Sequence, residues 1–493
     1  MKKVLLGLAA VLVLLVAGAA AAVPFLEKHA AARLKADIES GGTATVDTVE
    51  VSLFARRVEM SNLRNPQATG VSASRWSASG IAWPLADLLT GRVPFDGLRL
   101  GDPLRADRIE ASDLTLGDDA GNTWKFGRLV LEGVDLARYD AELGMSPFRF
   151  ASLGARVLQA LSIRRLEEHD VVFNDGLGGS GFTVGALVLD NVERGRIGSV
   201  SVTNLQMGGA RAGAPAFSVA EAMATGLDFR RILAAISSPA WYFGSPLGRL
   251  GLEKVSATGF SGEMLTRFGI SLGSVTADFT PQSEKVVRGR SRIEGFVLAP
   301  PLRGLEALQI RLALTAMGLK EVRLGFDCSG LEDRVKGEIT IDHCALSGPD
   351  LAEIDFMARL VNVDEPFWQA MDSGDYSLAR ASKVALASAR LVLSDKSLLE
   401  RSLKAVAATA GQPAAQVRSQ FAQEVRRFQP AGVLITEDLT RLLDTVARFV
   451  EQGGMLTIEA QPDPPFGLDR AGYFMTPGPD LINLLGITAK LSR

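Results

Sequence analysis

From about residue 43 to residue 394, short runs of the chain alternate apolar and polar residues with a period of two. This alternation is typical of β-strands that bury one face. The first two runs, Thr43–Leu53 and Arg56–Asn65, predict a hairpin, and similar runs follow with Gly, Asn, Asp or Pro between them. We therefore expect a mainly β fold with a long, mostly antiparallel sheet of repeated strand pairs.

A three-residue phrase recurs along these runs: Ser or Thr, then Asn, Asp or Gly, then Leu, Ile or Phe. Six copies, each preceded by Ala, Met or Val, begin at Ser61, Ser79, Ser112, Thr203, Thr225 and Thr258. Their uneven spacing disfavours a solenoid of fixed period. Because Asn, Asp and Gly tolerate a positive φ angle, the phrase predicts positions where a strand ends or bends. The third residue is expected to point back into the apolar layer.

Helical patterns interrupt and follow the strands. Residues 84–92, 150–161 and 229–238 predict short helices that cap edges of the sheet. Residues 395–452 contain three amphipathic patterns in succession, the first with Ser397 and Glu400 spaced as a capping box. We expect a small helical layer there, packed on itself or on the sheet, with a lipid-facing or partner-facing surface as the alternative.

The N-terminal residues are the strongest guide to localisation. Residues 4–23 are uncharged and apolar, behind Lys2 and Lys3. About 20 residues at a rise of 1.5 Å each reach roughly 30 Å, the thickness of a bilayer core. Two interpretations stay open: an uncleaved signal anchor, or a signal peptide cleaved after Ala22. Both keep the lysines cytoplasmic and export the rest, which for this small-residue-rich segment indicates a bacterial periplasm. With the anchor uncleaved, the chain is a single-pass inner-membrane protein with its bulk in the periplasm.

These patterns divide the chain into five parts. They are residues 1–23 as a transmembrane segment, 24–42 as a membrane-proximal helix, 43–394 as an elongated β-sheet domain with helical insertions, 395–452 as an amphipathic helical segment, and 453–493 as a C-terminal strand–helix–strand cap.

Composition and charge exclude one class of partner. Hydrophobic residues make up 47% of the chain and charged residues 22%, with a formal net charge of −3. No basic run is interleaved with aromatic residues, so nucleic-acid binding is disfavoured.

The two cysteines suit an oxidising compartment. Cys328 and Cys344 lie in two strand-like runs that flank a polar turn near residues 331–336. If these runs pair, the thiols come within reach of a disulfide. The alternative is a pair of small buried apolar residues that never meet.

No arrangement of residues in the sequence predicts catalysis, and we expect no enzyme. The Gly-x-Gly-x-x-Gly match at 176–181 precedes a strand pattern rather than a helix, so it predicts a hairpin tip and no cofactor site. Ser180 lacks the second Gly of a nucleophile elbow. His29, His169 and His343 lack metal-ligand spacing. We therefore predict no catalytic, cofactor-binding or metal site.

The order of these features carries a family resemblance. An N-terminal anchor, a short helix, the stretch VDTVEVSLFARRVEMSNLRN and repeated strands such as RIEASDLTL resemble the AsmA/TamB-like bacterial envelope proteins, including their YdbH-like branch, over roughly residues 1–365. The resemblance implies a long, highly curved sheet whose apolar inner face shields lipid acyl chains between two membranes.

Two functions follow as hypotheses. The first is lipid handling or transport and envelope homeostasis, with phospholipid on an apolar sheet face and envelope proteins as possible partners. The second is a structural or assembly scaffold of the envelope that binds no lipid.

Overall fold

In a computed structural model of the chain, the structure describes residues 23–40, 44–64, 70–81, 101–117, 121–142, 149–175, 181–208, 215–238, 251–305, 307–374, 382–429, 434–467 and 480–492. The predicted transmembrane run, apart from its last residue, lies outside these ranges, as do the predicted helix 84–92 and most of the glycine-rich tip. Among the described residues, no helix combines the length and the apolar character that crossing a bilayer requires.

The chain divides into two compact units. The first comprises residues 1–213 and 226–245, and the second comprises residues 214–225 and 246–493.

The described strands are numbered in chain order. In the first unit they are β1 (Thr48–Ser52), β2 (Arg57–Leu63), β3 (Val71–Ser79), β4 (Leu104–Gly117), β5 (Thr123–Leu136), β6 (Leu161–Asn174), β7 (Gly181–Glu193) and β8 (Arg196–Met207). Strand β9 (Phe217–Asp228) is divided between the units. In the second unit they are β10 (Lys254–Thr258), β11 (Ile270–Ser271), β12 (Ser274–Ser283), β13 (Val286–Leu298), β14 (Val322–Asp333), β15 (Glu338–Gly348), β16 (Ala352–Val361), β17 (Ala385–Asp395), β18 (Gly454–Ala460), β19 (Phe466–Gly467) and β20 (Ile487–Ser492).

The described helices lie between and around these strands. They are α1 (residues 23–40), α2 (Arg149–Ala160), α3 (Arg230–Ser237), α4 (Glu263–Phe268), α5 (Leu308–Ala316), α6 (Glu365–Ser373), α7 (Leu398–Ala410), α8 (Ala414–Arg427), α9 (Glu437–Gln452) and α10 (Leu481–Leu484). Helices α2 and α3 match two of the predicted insertions, and α7 to α9 form the predicted helical segment.

Every strand pairing is antiparallel, and most join neighbours in sequence. In the first unit β1 to β8 pair in chain order. In the second unit β9, β10, β12, β13, β14, β15, β16, β17, β18 and β20 pair in that order, with the short β11 on β13 and β19 on β17. The prediction of a mainly β, antiparallel fold is confirmed.

The recurring phrase marks left-handed backbone. Its middle residue has a φ angle between 50° and 69° in the six copies preceded by Ala, Met or Val, at Asn62, Gly80, Asp113, Asn204, Gly226 and Gly259, whereas Gly330 of Ser329-Gly330-Leu331, which follows Cys328, does not share it. Four further strand residues share this conformation: Gly133, Asp170, Asn191 and Gly295. They lie outside the phrase, since an acidic residue or His precedes each of them where the phrase has Ser or Thr. A left-handed residue interrupts the pleat and bends the strand, so the phrase has the predicted structural role.

These residues form two lines across the first unit. The pairing register aligns Asn62, Ser74, Asp113, Gly127, Asp170, Gly185 and Asn204 in the first line. It aligns Gly80, Asp107, Gly133, Arg164, Asn191 and Gly198 in the second. We call these the kink lines. From β3 to β8 each strand has one position in each kink line, and these two positions are six residues apart. Only one of the two is left-handed in each strand.

Close packing explains the residue types in the kink lines. A Cβ on Gly127 would lie 3.0 Å from the Asp170 Cβ, and one on Gly185 would lie 3.1 Å from the Asn204 Cβ. Ser74 donates a hydrogen bond of 2.7 Å from its Oγ to Oδ2 of Asp113. Each left-handed Asn or Asp of the first line after β2 therefore lies beside a Ser or Gly on a neighbouring strand.

One local prediction is wrong. Ser397 precedes α7, but its side chain does not cap the helix; its Oγ hydrogen-bonds the backbone carbonyl of Asp350. The Leu399 N–H instead donates to Oδ1 of Asp395, two residues before Ser397. The capping box fails because Asp395 supplies the acceptor.

Candidate functional site

The first unit presents one continuous apolar face. Two rows of directly opposed residues cross strands β2 to β8 between the kink lines. The Leu131 row consists of Val58, Ala78, Ile109, Leu131, Leu166, Leu189 and Val200. The Leu129 row consists of Met60, Trp76, Ala111, Leu129, Glu168, Leu187 and Val202. Directly opposed side chains of antiparallel strands share a face, so these two rows define the first apolar face.

A third row extends this face beyond the first kink line. The Trp124 row consists of Val71, Leu116, Trp124, Phe173, Phe182 and Met207. Its ring centroids lie 4.6 Å apart for Trp124 and Phe173 and 5.3 Å apart for Phe173 and Phe182. Leu116, Phe182, Leu129 and Leu187 pack against the same buried cluster, so the rows on both sides of the kink line belong to one surface.

A helix covers one end of the first apolar face. Ala30 and Leu34 of α1 pack against Val58 and Ala78, which are 0% and 2% exposed. Toward β8 the rows change from buried to half-buried: Leu129, Leu131, Leu166, Leu187 and Leu189 all retain partial exposure. The accessible apolar surface is therefore on β5 to β8.

The opposite face of these strands is charged. Arg108 bonds both Glu110 and Glu132, with a distance of 2.6 Å from Nη1 to Oε1 of Glu132. Arg165 bonds Glu167 and Asp190 in the same way on β6 and β7. The sheet is thus amphipathic, with an ion-paired face opposite the apolar one.

The second unit repeats this amphipathic design over more strands. The Leu346 row consists of Ala222, Ala257, Val275, Ile293, Phe326, Leu346, Ile354, Leu393, Leu456 and Leu491. The Phe356 row consists of Ala224, Val255, Ala277, Ser291, Cys328, Cys344, Phe356, Leu391, Ile458 and Ala489. These rows define the second apolar face. On the other face, hydrogen bonds from Arg290 and Arg292 lower the pKa of Asp327 to about 2.

The second apolar face is likewise buried at one end, where a helix packs against its strands. Helix α9 packs against β18 and β20, and Leu456 of β18 is 4% exposed. In the middle of the same two rows, Leu346, Ile354 and Phe356 are 43%, 38% and 37% exposed. A cluster of half-exposed apolar side chains this close together is uncommon on a surface that contacts only water.

The two cysteines lie within the second apolar face. Cys328 of β14 and Cys344 of β15 are directly opposed, with Cα atoms 3.9 Å apart, and their sulfurs form a disulfide. The bond links β14 to β15, the strand that also carries Leu346 of the exposed cluster.

Glu168 is the exception to the apolar character of the first face. It is the acidic member of the Leu129 row, directly opposite Leu129 on one side and Leu187 on the other. Among the described residues no hydrogen-bond or ion-pair partner reaches its carboxyl group. Burial alone raises its pKa above the ordinary value. Its position could not be read from the sequence, because Glu167 beside it makes the pair look like part of a solvated strand.

The structure does not bring the histidines together. His169 lies 3.8 Å from Glu167 on β6, and His343 Nδ1 lies 3.0 Å from Asp355 on β15 and β16. No group of three or more His, Cys, Asp or Glu side chains in the described part of the chain could hold a metal ion.

Comparisons with known proteins add one match. A family model described as an uncharacterized protein matches residues 345–491, which is less than half of the chain. These residues run from the end of β15 to β20 and include the helices α7 to α9. No curated protein matches the chain.

Proposed function

We propose that this protein is an envelope lipid-handling protein, anchored in the inner membrane with its bulk in the periplasm, whose apolar sheet faces receive phospholipid acyl chains. The observation that carries the proposal is the set of continuous apolar rows, covered by a helix at one end and half-exposed elsewhere. Leaving such rows in water costs about 25 cal/mol for each Å² of apolar surface, and an acyl chain removes that cost.

The arrangement suits a chain-like ligand. Rows of Leu, Val and Ile run across the strands at about 4.8 Å a strand, so seven strands offer roughly 30 Å of apolar surface. That length exceeds an extended acyl chain. Aliphatic side chains form no directional hydrogen bonds with a ligand, so the rows favour flexible apolar chains over a single rigid ligand.

Localisation is part of the same proposal. The apolar run 4–23 supplies the membrane anchor, and the Cys328–Cys344 disulfide is the kind of bond that persists in an exported protein. Both features favour the periplasm over the cytosol.

Site-specific photocrosslinking of the full chain in bacterial membranes tests the proposal. A benzophenone amino acid is placed at Leu189 of the first apolar face or at the neighbouring Val188, which pairs with Glu167 and Ser201 on the charged face. Irradiation is expected to attach phospholipid at position 189 and little at position 188, as measured by the mass of the adduct.

The matched positions also define failure. Equal labelling at both positions would indicate non-specific contact with the bilayer. Absence of adducts at 189, with the chain folded, would overturn lipid handling and favour an envelope scaffold that binds no lipid.

A further inference from the structure

We propose that Glu168 selects, among membrane lipids, those whose headgroup carries a primary ammonium. This inference rests on the proposed function and names the class of lipid that the first apolar face prefers. Three properties of Glu168 support it: its apolar neighbours, the absence of a partner among the described residues, and its place on the face opposite the ion pairs.

The neighbours of Glu168 set the chemistry of the position. Leu129 and Leu187 lie directly across from it, and Leu166 lies two residues before it on the same face of β6. Leu129 and Leu187 also pack against the buried cluster that contains Ala111. Glu168 is half-buried, so its carboxylate has lost part of its hydration, and the neighbouring Leu side chains offer no hydrogen bond in its place. An acyl chain on this face would displace more of that water and make a donor on the ligand favourable.

Among the described residues, no side chain or backbone group donates to the Glu168 carboxyl group. Arg165 is engaged with Glu167 and Asp190 on the opposite face, and Arg128 bonds Glu110 there. Alternation along β6 keeps Glu167 and Glu168 on opposite faces, so these arginines serve the charged face. A ligand on the apolar face is therefore expected to bring the missing donor.

The class of ligand follows from two requirements. The surrounding rows require apolar chains, and Glu168 requires a cationic hydrogen-bond donor. A phospholipid with a primary ammonium meets both, since its nitrogen donates charge-assisted hydrogen bonds to the carboxylate. A quaternary ammonium has the charge but no N–H group.

The experiment uses the full chain, with the photoreactive residue at position 189, in vesicles of equal parts phosphatidylethanolamine and phosphatidylcholine with identical acyl chains. These lipids differ in whether the ammonium nitrogen carries hydrogens. We expect phosphatidylethanolamine to be enriched roughly tenfold among the adducts, the size of effect of one hydrogen bond to a charged group.

The Glu168→Leu variant continues the apolar row and is expected to keep the total yield of adducts while losing the enrichment. Glu168→Gln is the second variant, in case the Leu variant misfolds, and is expected to reduce the enrichment. Glu167→Gln, the same change on the charged face, is the matched control and should retain the enrichment.

Unchanged enrichment in folded Glu168→Leu, or equal adducts of both lipids in the parent chain, would overturn the role of Glu168 and leave lipid handling intact. Absence of adducts with either lipid would instead reject lipid handling itself.

Discussion

Each unit contains an amphipathic antiparallel sheet, but the two sheets are stabilised in different ways. In the first unit the pairing register is constant within each strand pair, and the left-handed residues within β2 to β8 lie in the two kink lines. In the second unit the register shifts at bulges, between Ile293 and Phe296 and again between Ser329 and Gly330. The Cys328–Cys344 disulfide joins β14 to β15. Regular left-handed positions bend a sheet without cost to its register, whereas bulges shift the register and leave it to be fixed by other bonds.

The largest expected loss of stability distinguishes the buried end of the Leu346 row from its exposed middle. Leu456→Asp places a charge at a position of β18 that is 4% exposed and should lower the free energy of unfolding by about 4 kcal/mol or more. Leu346→Asp, in the same row but 43% exposed, should cost about 1 kcal/mol or less. Chemical denaturation of both variants provides the measurement. Similar losses for both would show that the row is equally enclosed along its length.

The disulfide should come next in size and should affect the second unit alone. Cys328→Ser combined with Cys344→Ser opens a loop with a sequence separation of 16 and should cost about 3 kcal/mol. Limited proteolysis read by mass spectrometry assigns the new cleavages to either unit. A reducing agent should reproduce the effect in the parent chain. Increased cleavage in the first unit to the same extent would contradict independent stabilisation.

The kink lines should give the smallest effect, in the first unit. Asp113→Val puts a β-branched residue at a φ of 51° and removes the acceptor of Ser74, which should cost about 1–2 kcal/mol. Asp113→Asn keeps both properties and should be close to neutral. Ser112→Val, one residue earlier in the strand, controls for the change in side chain. Thermal unfolding of the three variants distinguishes them; equal stability of Asp113→Val and Asp113→Asn would mean that the left-handed backbone there is not required.

Much of the fold could be predicted from local patterns, because each strand and helix depends on its own residues. The hairpin of Thr43–Leu53 and Arg56–Asn65 is present as β1 and β2, and the candidate cysteines proved to be directly opposed. The faces could not be predicted, because a left-handed residue reverses the alternation that a period of two assumes. Ala111 and Leu114 belong to one buried cluster although they are three residues apart, with Asp113 between them.

Glu168 could not be predicted for the same physical reason. The segment Glu167-Glu168-His169 contains three polar residues in a row, and period-two counting does not tell which of them faces the apolar side. The pairing with Leu129 and Leu187 decides it, and that pairing depends on strands distant in sequence. Register is a tertiary property.

The six-residue interval between the kink lines has a consequence for how such a chain can change length. Deleting a single residue between the lines would move one bend out of its line and turn every later side chain of that strand to the wrong face. Adding or removing a whole hairpin leaves both lines intact, since two successive strands carry one left-handed residue for each line. From β3 to β8, whole hairpins are therefore the natural unit of duplication and loss.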